Sequence, residues 1–138
     1  ISQLHARVTH EQHAILTSLS LVILAARAYG RCVVDGIATD FKNLHSFEYA
    51  CRLGRDMGFD GKSLIHPAQI AYSNDAYTPK AVEVAYAREI IKALKEAKES
   101  GRGTVVVNDR LVENHNIKAA ERLIKLSEMI AELEEDHI

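Results

Sequence analysis

The apolar residues of the chain recur mainly at helical spacing, and this pattern predicts five helices. The clearest stripe follows a Thr9–Gln12 capping-box pattern and predicts a helix from about His10 to Tyr29. Its apolar positions are Ile15, Leu16, Leu19, Val22, Ile23 and Ala26. Similar spacing predicts the other four helices at about residues 43–57, 67–75, 78–100 and 116–134.

The residues at the ends of these segments indicate how the helices are capped. Asn43 can cap the second helix, while Thr78 and Pro79 are typical of the N-cap and first residue of the fourth. Gly30 and Gly58 can end the first two helices because glycine readily adopts a left-handed conformation.

Two short apolar runs between helices predict strands, one at residues 31–35 and one at residues 62–65. Strand and helix alternate with short connections, which favours a parallel sheet with right-handed crossovers. Two parallel strands cannot cover their own faces. The chain is therefore expected to be an incomplete barrel or to depend on neighbouring segments.

The pattern changes near Tyr77 from strand–helix alternation to helix, hairpin and helix. Residues 104–107 and 110–112 flank Asn108 and Asp109, two residues suited to the left-handed conformations of a tight turn. This change predicts a boundary between a first subdomain, residues 1–76, and a second, residues 77–138.

Composition and charge exclude several classes of protein. The 138 residues are 47% apolar and 26% charged, which is typical of a globular domain. A formal net charge of −2, spread along the chain, gives no basic patch for nucleic acid. The longest apolar run is too short to span a bilayer, and the N-terminus lacks a signal-peptide pattern, so we expect no membrane partner and a cytoplasmic or organelle-matrix protein. Cys32 and Cys51 are expected to be buried, reduced thiols.

Polar residues that follow the predicted strands are the first candidates for chemistry. Asp35, Gly36 and Asp40 lie in the loop after the first strand, where carboxylates can reach a metal or substrate. Alternatively, Asp35 accepts hydrogen bonds from loop amides and Asp40 orders the next helix start. His66 can act as an acid or base, or equally as a helix cap. From the residues alone, Glu113 is a surface carboxylate.

Several motifs in register carry a resemblance to a known family. The longest is GFDGKSLIHPAQI, residues 58–70. The others, in chain order, are Ala25–Gly30, Val34–Gly36, Asp40–Phe41, Tyr77–Pro79, Gly101–Gly103 and Arg110–Asn114. In these motifs the chain resembles the C-terminal portion of the citrate lyase beta chain and malyl-CoA lyase family. The resemblance runs from about Leu4 to Ile130.

This resemblance implies an α/β fold, namely the last two strand–helix units of a (β/α)8 TIM barrel followed by a helix–hairpin–helix lid. It implies a magnesium-dependent lyase that cleaves a 3-hydroxyacyl-CoA, such as malyl-, methylmalyl-, citramalyl- or citryl-CoA, into a keto acid and an acyl-CoA. The magnesium ligands of the family lie on earlier strands, so no metal ligand is expected in this chain. A homotrimer or homohexamer is implied, because the lid serves an adjacent subunit.

The resemblance also assigns residues. Ile65, His66 and Pro67 would contact the coenzyme A moiety, and the loop with Asp35, Gly36 and Asp40 would lie at the mouth of the active site. Glu113 occupies the position of the catalytic carboxylate, where the family usually has Asp. The longer side chain moves the carboxylate by about an ångström, which matters for proton transfer.

Two other functions are compatible with the residues. Without the metal ligands, the isolated chain is expected to be inactive and could be a non-catalytic lid and oligomerisation fragment. A regulatory helical adaptor would instead bind a partner through Val84, Ile91 and Ile124.

Overall fold

The chain forms two compact units, Ile1–Tyr77 and Thr78–Ile138, in a computed structural model that describes residues 5, 7, 9, 12–101 and 103–135. The helices are α1 (Leu16–Ala28), α2 (Leu44–Met57), α3 (Ile70–Tyr77), α4 (Ala81–Glu99) and α5 (His115–Glu135). The strands are β1 (Val34–Asp35), β2 (Gly61–Lys62), β3 (Thr104–Val107) and β4 (Arg110–Glu113). This mixture of helices and strands confirms the predicted α/β class.

The first unit is built on the short parallel pair of β1 and β2, with Val34 opposite Gly61 and Asp35 opposite Lys62. This pairing confirms the parallel arrangement predicted from the strand–helix alternation. Helix α2 packs its buried face against α3, and the core cluster comprises Phe47, Cys51 and Ala76. The half-buried residues packed on this cluster are Ala38, Leu64, Tyr72 and Tyr77.

Arg27 near the end of α1 links that helix to the segment before β2. Its Nη1 and Nη2 atoms donate to the two carboxylate oxygens of Asp60 at 2.8 and 2.9 Å, and Nη2 also donates to the Gly58 carbonyl at 2.6 Å. The Val33 amide donates to Asp60 as well, at 2.8 Å. Burial acts to raise the pKa of Asp60, but these hydrogen bonds outweigh it and hold that pKa well below its usual range.

Helix α1 leaves much of its apolar surface open within the first unit. Ile15 and Ile23 are buried as predicted, whereas Val22, which was predicted to face inward, is 52% exposed. Leu21 and Leu24 are also exposed, as is Val34 of β1. These side chains agree with the expectation that two parallel strands and their helices cannot cover their own apolar faces.

The second unit packs the β3–β4 hairpin against α4 and α5. Asn108 and Asp109 both have positive φ, at 48° and 59°, and close the two-residue turn as predicted. Leu94, Val107 and Val112 form the core cluster. The opposite face of the hairpin leaves the cross-strand pair Val106 and Leu111 exposed.

Helix ends were predicted well where a local cap was recognised. The Asn43 side chain accepts the Ser46 amide at 3.1 Å, and Gly58 ends α2 with a φ of 106°. The predicted first residues of two helices, α1 and α4, were wrong. Gln12 has a left-handed φ of 57°, so α1 begins only at Leu16, after a 3-10 turn; His10 and Glu11 lie outside the described residues.

Helix α4 begins at Ala81 rather than after Thr78, because Lys80 takes the N-cap position and its amide donates to the Glu83 side chain at 2.7 Å. The predicted strands were also too long. The strand predicted at residues 62–65 ends at Lys62, and Ile65, at the end of the predicted strand, is 48% exposed. Cys32 is exposed rather than buried, since it lies in the loop before β1. Arg102, in the Gly101–Gly103 motif, lies outside the described residues.

The depressed pKa of Asp60 makes stability depend on pH in the acid range. The ionised carboxylate stabilises the fold fully above the unfolded-state pKa of about 3.9; this contribution begins to fall as the pH drops through that value and is lost completely only below the lower pKa of the folded state. We expect Asp60→Asn to lower the free energy of unfolding at pH 7 by about 1–3 kcal/mol and to flatten its decrease between pH 6 and pH 3. Urea unfolding at each pH measures both effects. Asp56→Asn, which removes an exposed carboxylate, is the control; an equally flat profile for this variant would contradict the assignment.

Candidate functional site

The candidate site lies at the carboxyl ends of β1 and β2. Because the two strands are parallel, the loop after Asp35 and the turn after Lys62 leave from the same edge of the sheet. The predicted residues Asp35, Gly36 and Asp40 lie in or before the loop, and Ile65, His66 and Pro67 form the turn. The structure therefore places these two predicted sets on neighbouring segments.

A buried ion pair joins the last residues of the two strands. The Lys62 Nζ atom lies 2.5 Å from Asp35 Oδ2, and the two side chains are only 2% and 8% exposed. The other carboxylate oxygen, Oδ1, accepts the Gly36 amide at 2.8 Å. Both oxygens of Asp35 thus have partners inside the protein, and the carboxylate holds the start of the loop.

Cys51, Gly54 and Tyr77 surround this ion pair. A Cβ atom on residue 54 would lie 2.6 Å from the Tyr77 hydroxyl and 3.3 Å from Asp35 Oδ2, so α2 approaches both groups closely. Burial raises the pKa of the Cys51 thiol to about 11, and burial followed by the Asp35 charge raises the pKa of Tyr77 above its usual range. Both groups stay protonated at neutral pH. Among the described residues, none offers the buried Tyr77 hydroxyl a hydrogen bond.

The Ile65–Pro67 turn is a helix cap. His66 Nδ1 accepts the Ala68 amide at 3.1 Å, while the Gln69 Oε1 atom accepts the amides of Ile65 and His66 at 3.0 and 3.3 Å. In the neutral imidazole the hydrogen must then be on Nε2, because Nδ1 is the acceptor. His66 therefore has no unoccupied basic nitrogen in this arrangement, which matches the capping alternative.

The loop and the turn are joined to each other. The Gln69 Nε2 atom donates to the Ala38 carbonyl at 3.1 Å, and the rings of Phe41 and His66 stack with their centroids 4.8 Å apart. Ile65 is 48% exposed and Phe41 is 37% exposed. Together the two segments present an open apolar and aromatic surface.

Asp40 and Gly36 are exposed within the loop. The Asp40 carbonyl accepts the Asn43 amide at 3.3 Å, so the Asp40 backbone belongs to the turn before α2.

A shallow depression of about 300 Å³ lies nearby, at the first turn of α2. It is lined by Asn43, His45, Ser46 and Tyr49. None of the predicted site residues lines this depression, which therefore does not define the candidate site.

Glu113 lies in the second unit, at the end of β4. Its side chain is 48% exposed, and Oε2 lies 3.2 Å from His115 Nδ1. Its amide donates to the Asn116 side chain at 2.9 Å, which joins the strand end to the start of α5. On β4 the side chain shares the exposed face with Leu111, because residues two apart on a strand point the same way. The structure thus presents Glu113 as an accessible carboxylate beside apolar surface.

Over the residues that the structure describes, no three His, Cys, Asp or Glu side chains meet in an arrangement able to hold a metal ion. The described part of the chain therefore does not fit a magnesium ion. In the same part of the chain, no helix combines the length and the apolar character needed to cross a bilayer.

Comparison with known proteins identifies the family. No protein-family model matches the chain. A (3S)-malyl-CoA thioesterase from Cereibacter sphaeroides is 41% identical over 129 residues, which are 94% of this chain and 45% of that protein. An L-malyl-CoA/beta-methylmalyl-CoA lyase from the same species is 39% identical over 110 residues, 80% of this chain and 35% of that protein. The chain belongs to the citrate lyase beta chain and malyl-CoA lyase family.

Solved structures of this family share the fold. The CitE protein from Mycobacterium tuberculosis, in complex with magnesium, acetoacetate and coenzyme A, superposes with a TM-score of 0.65 and 28% identity over 79% of this chain and 39% of that one. A citrate lyase from Burkholderia xenovorans has a TM-score of 0.71 and 20% identity over 86% and 37% of the two chains. The chain spans less than half the length of these relatives.

Sequence reasoning missed three residues that organise the candidate site: Lys62, Gln69 and Tyr77. The signal for Gln69 was present, since a Gln at the third position after a cap is typical of a capping box. Lys62 had no local signal, because its partner is 27 residues away in the chain.

The buried ion pair yields a stability prediction. Lys62→Met should lower the free energy of unfolding by about 3–5 kcal/mol, because it leaves the Asp35 charge buried without a partner. The double variant Lys62→Met/Asp35→Leu should lose clearly less than the single variant. Denaturant unfolding at pH 7 measures these values. The exposed pair Arg52–Glu48, at 2.6 Å, is the matched control, and Arg52→Met should cost about 1 kcal/mol or less. Equal losses for Lys62→Met and Arg52→Met would contradict the assignment.

The close approach at Gly54 yields a second prediction. Gly54→Ala should destabilise the fold by about 1–3 kcal/mol, because the new methyl group overlaps the Tyr77 hydroxyl. Tyr77→Phe should be neutral or stabilising, since it removes a buried hydroxyl without a partner, and should recover most of the loss when combined with Gly54→Ala. Thermal unfolding of the wild-type protein, the two single variants and the double variant measures the coupling between the two substitutions. Additive effects of the two substitutions would show that the overlap is not the cause.

Proposed function

We propose that this chain is the C-terminal part of a magnesium-dependent carbon–carbon lyase that acts on a 3-hydroxyacyl-CoA and releases a keto acid and an acyl-CoA. The observation that most strongly supports this proposal is the 36–41% identity, over most of this chain, to proteins named for activity on malyl-CoA or methylmalyl-CoA. In this proposal, residues 1–76 are the last two strand–helix units of a TIM barrel and residues 77–138 are a lid.

The first unit supports the barrel part of the proposal. Its strands are parallel, and exposed apolar residues on α1 and β1, including Leu24 and Val34, form a surface on which a larger sheet and its helices can continue. The magnesium ligands would then lie outside this chain. The isolated chain would accordingly be inactive.

The turn at Ile65–Pro67 supports a role in binding the coenzyme A moiety. The amides of Ile65 and His66 donate to Gln69, and the Ala68 amide that follows donates to His66, so this turn would contribute apolar and aromatic contact rather than N–H groups. His66 would act as a cap and stacking partner of Phe41, not as the base.

Glu113 would carry the proton to and from the acyl-CoA carbon. Its carboxylate is accessible, and its strand end is tied to α5 through Asn116. We propose that it serves the active site of an adjacent subunit in a homotrimer or homohexamer. The exposed apolar pair Val106 and Leu111 beside it suits a surface that closes over a substrate and excludes water.

A second candidate reaction is hydrolysis of the malyl-CoA thioester. It is favoured by the thioesterase relatives, whose identity of 40–41% covers 94% of this chain. The two reactions give different products from malyl-CoA, because lysis yields glyoxylate and acetyl-CoA whereas hydrolysis yields malate and free coenzyme A. Chromatography of the products, after the intact mass of the subunit has been established, decides between them. A subunit of 15.3 kDa without activity would instead support a non-catalytic fragment.

Glu113→Gln in the complete gene product should lower kcat by about 100-fold or more while changing KM little, because it removes a general acid and base. Glu113→Asp keeps an acid and base but withdraws the carboxylate by about an ångström, so it should lower kcat less than Glu113→Gln does. Glu132→Gln removes another exposed carboxylate and is the control. In mixed oligomers, Glu113→Gln subunits and Ile65→Lys subunits should together recover activity if the carboxylate serves a neighbouring subunit. Full activity of Glu113→Gln would overturn the assignment.

A further inference from the structure

Gln69 is a fully buried polar residue whose hydrogen bonds all reach main-chain atoms of the two segments at the candidate site. Its exposure is 0%, and its side chain is among the largest that are completely buried. Both acceptor positions of Oε1 are used, by the amides of Ile65 and His66, and Nε2 donates to the Ala38 carbonyl. Burying an amide without such partners is costly, so this side chain is held in one arrangement.

These partners lie far apart in the chain. Ala38 belongs to the loop after β1, 31 residues before Gln69, whereas Ile65 and His66 belong to the turn after β2. One side chain therefore sets the separation between the two segments that leave the carboxyl ends of the strands. Because its partners are backbone atoms, this separation depends on residue 69 itself and not on the side chains of its partners.

The surface that depends on this separation consists of the stacked rings of Phe41 and His66 together with the exposed side chain of Ile65. The ring of Phe41, from the loop, lies 4.8 Å from the ring of His66, from the turn, with only 15° between their planes. Ile65, the neighbour of His66 in the chain, is 48% exposed. If the loop moved away from the turn, the stack would separate and the continuous surface would be lost.

We propose that Gln69 is a positioning residue that clamps the loop after β1 to the Ile65–Pro67 turn, so that the two segments form one preorganised binding surface for the acyl-CoA. This inference rests on the proposed function for the identity of the ligand. The bond to the Ala38 carbonyl is the decisive one, because the bonds to Ile65 and His66 are also those of a local helix cap.

Two substitutions separate the clamp from the cap. Gln69→Glu keeps oxygens that can accept the Ile65 and His66 amides, and its carboxylate has no hydrogen to donate to the Ala38 carbonyl. Because burial raises the pKa of a carboxyl group, this variant is measured from about pH 7 to about pH 9, where rising pH favours the ionised form. Gln69→Met has a similar length and loses all three bonds. Ile23→Val, which removes a buried methyl group from α1, controls for a general loss of stability.

The experiment measures KM and kcat for malyl-CoA with the complete gene product, together with hydrogen exchange of the backbone amides. We expect Gln69→Glu to raise KM by about threefold to tenfold with a smaller change in kcat, as the loss of one hydrogen bond from a preorganised surface implies. Exchange should become faster across residues 36–42 and remain slow at Ile65 and His66. Gln69→Met should raise KM further and speed exchange in both segments, whereas Ile23→Val should leave KM unchanged.

Failure of this inference differs from failure of the proposed function. Wild-type turnover of malyl-CoA combined with an unchanged KM in Gln69→Glu would overturn the clamp and leave the lyase or thioesterase intact. A wild-type protein that neither turns over malyl-CoA nor binds coenzyme A in calorimetry would overturn the proposed function and the ligand named here. A rise in KM for Ile23→Val equal to that of Gln69→Glu would show that only stability is involved.

Discussion

The first unit depends on the buried contact between Asp35 and Lys62 at the ends of its two strands. Because both side chains are almost fully enclosed, each charge is stabilised chiefly by the other. This pair joins the strands at the edge from which the loop and the turn depart, and Asp35 also holds the first amide of the loop. Since the sheet has only two residue pairs in its register, this side-chain contact adds substantially to a short backbone ladder.

The candidate site is assembled in layers on this contact. The ion pair holds the strand ends, and Gln69 joins the segments that follow them. The rings of Phe41 and His66, one from each segment, stack on each other. The charged groups are thus beneath the surface, and the groups on the surface are apolar or aromatic. Under the proposed function, this order suits contact with the large and partly apolar coenzyme A moiety better than direct acid–base chemistry. The accessible carboxylate, Glu113, lies in the other unit.

Family membership and local geometry contribute different parts of the functional proposal. The names of the relatives support the proposed action on a CoA thioester, and the described residues contain no cluster of three or more such side chains able to hold a metal ion. The geometry refines the roles of individual residues. Asp35 is a structural carboxylate and His66 is a cap, whereas each had been open to a direct chemical role when only the residues were considered.

The sequence by itself determined the features that depend on neighbours along the chain. Asn43 and Gly58 marked the ends of α2, and Asn108 with Asp109 marked the hairpin turn, because caps and tight turns involve residues only a few positions apart. The tertiary structure alone decided the contacts that build the site. Arg27–Asp60, Asp35–Lys62 and Ala38–Gln69 join residues 27 to 33 positions apart, and whether such groups meet depends on strand register and helix packing, which spacing of apolar residues does not specify.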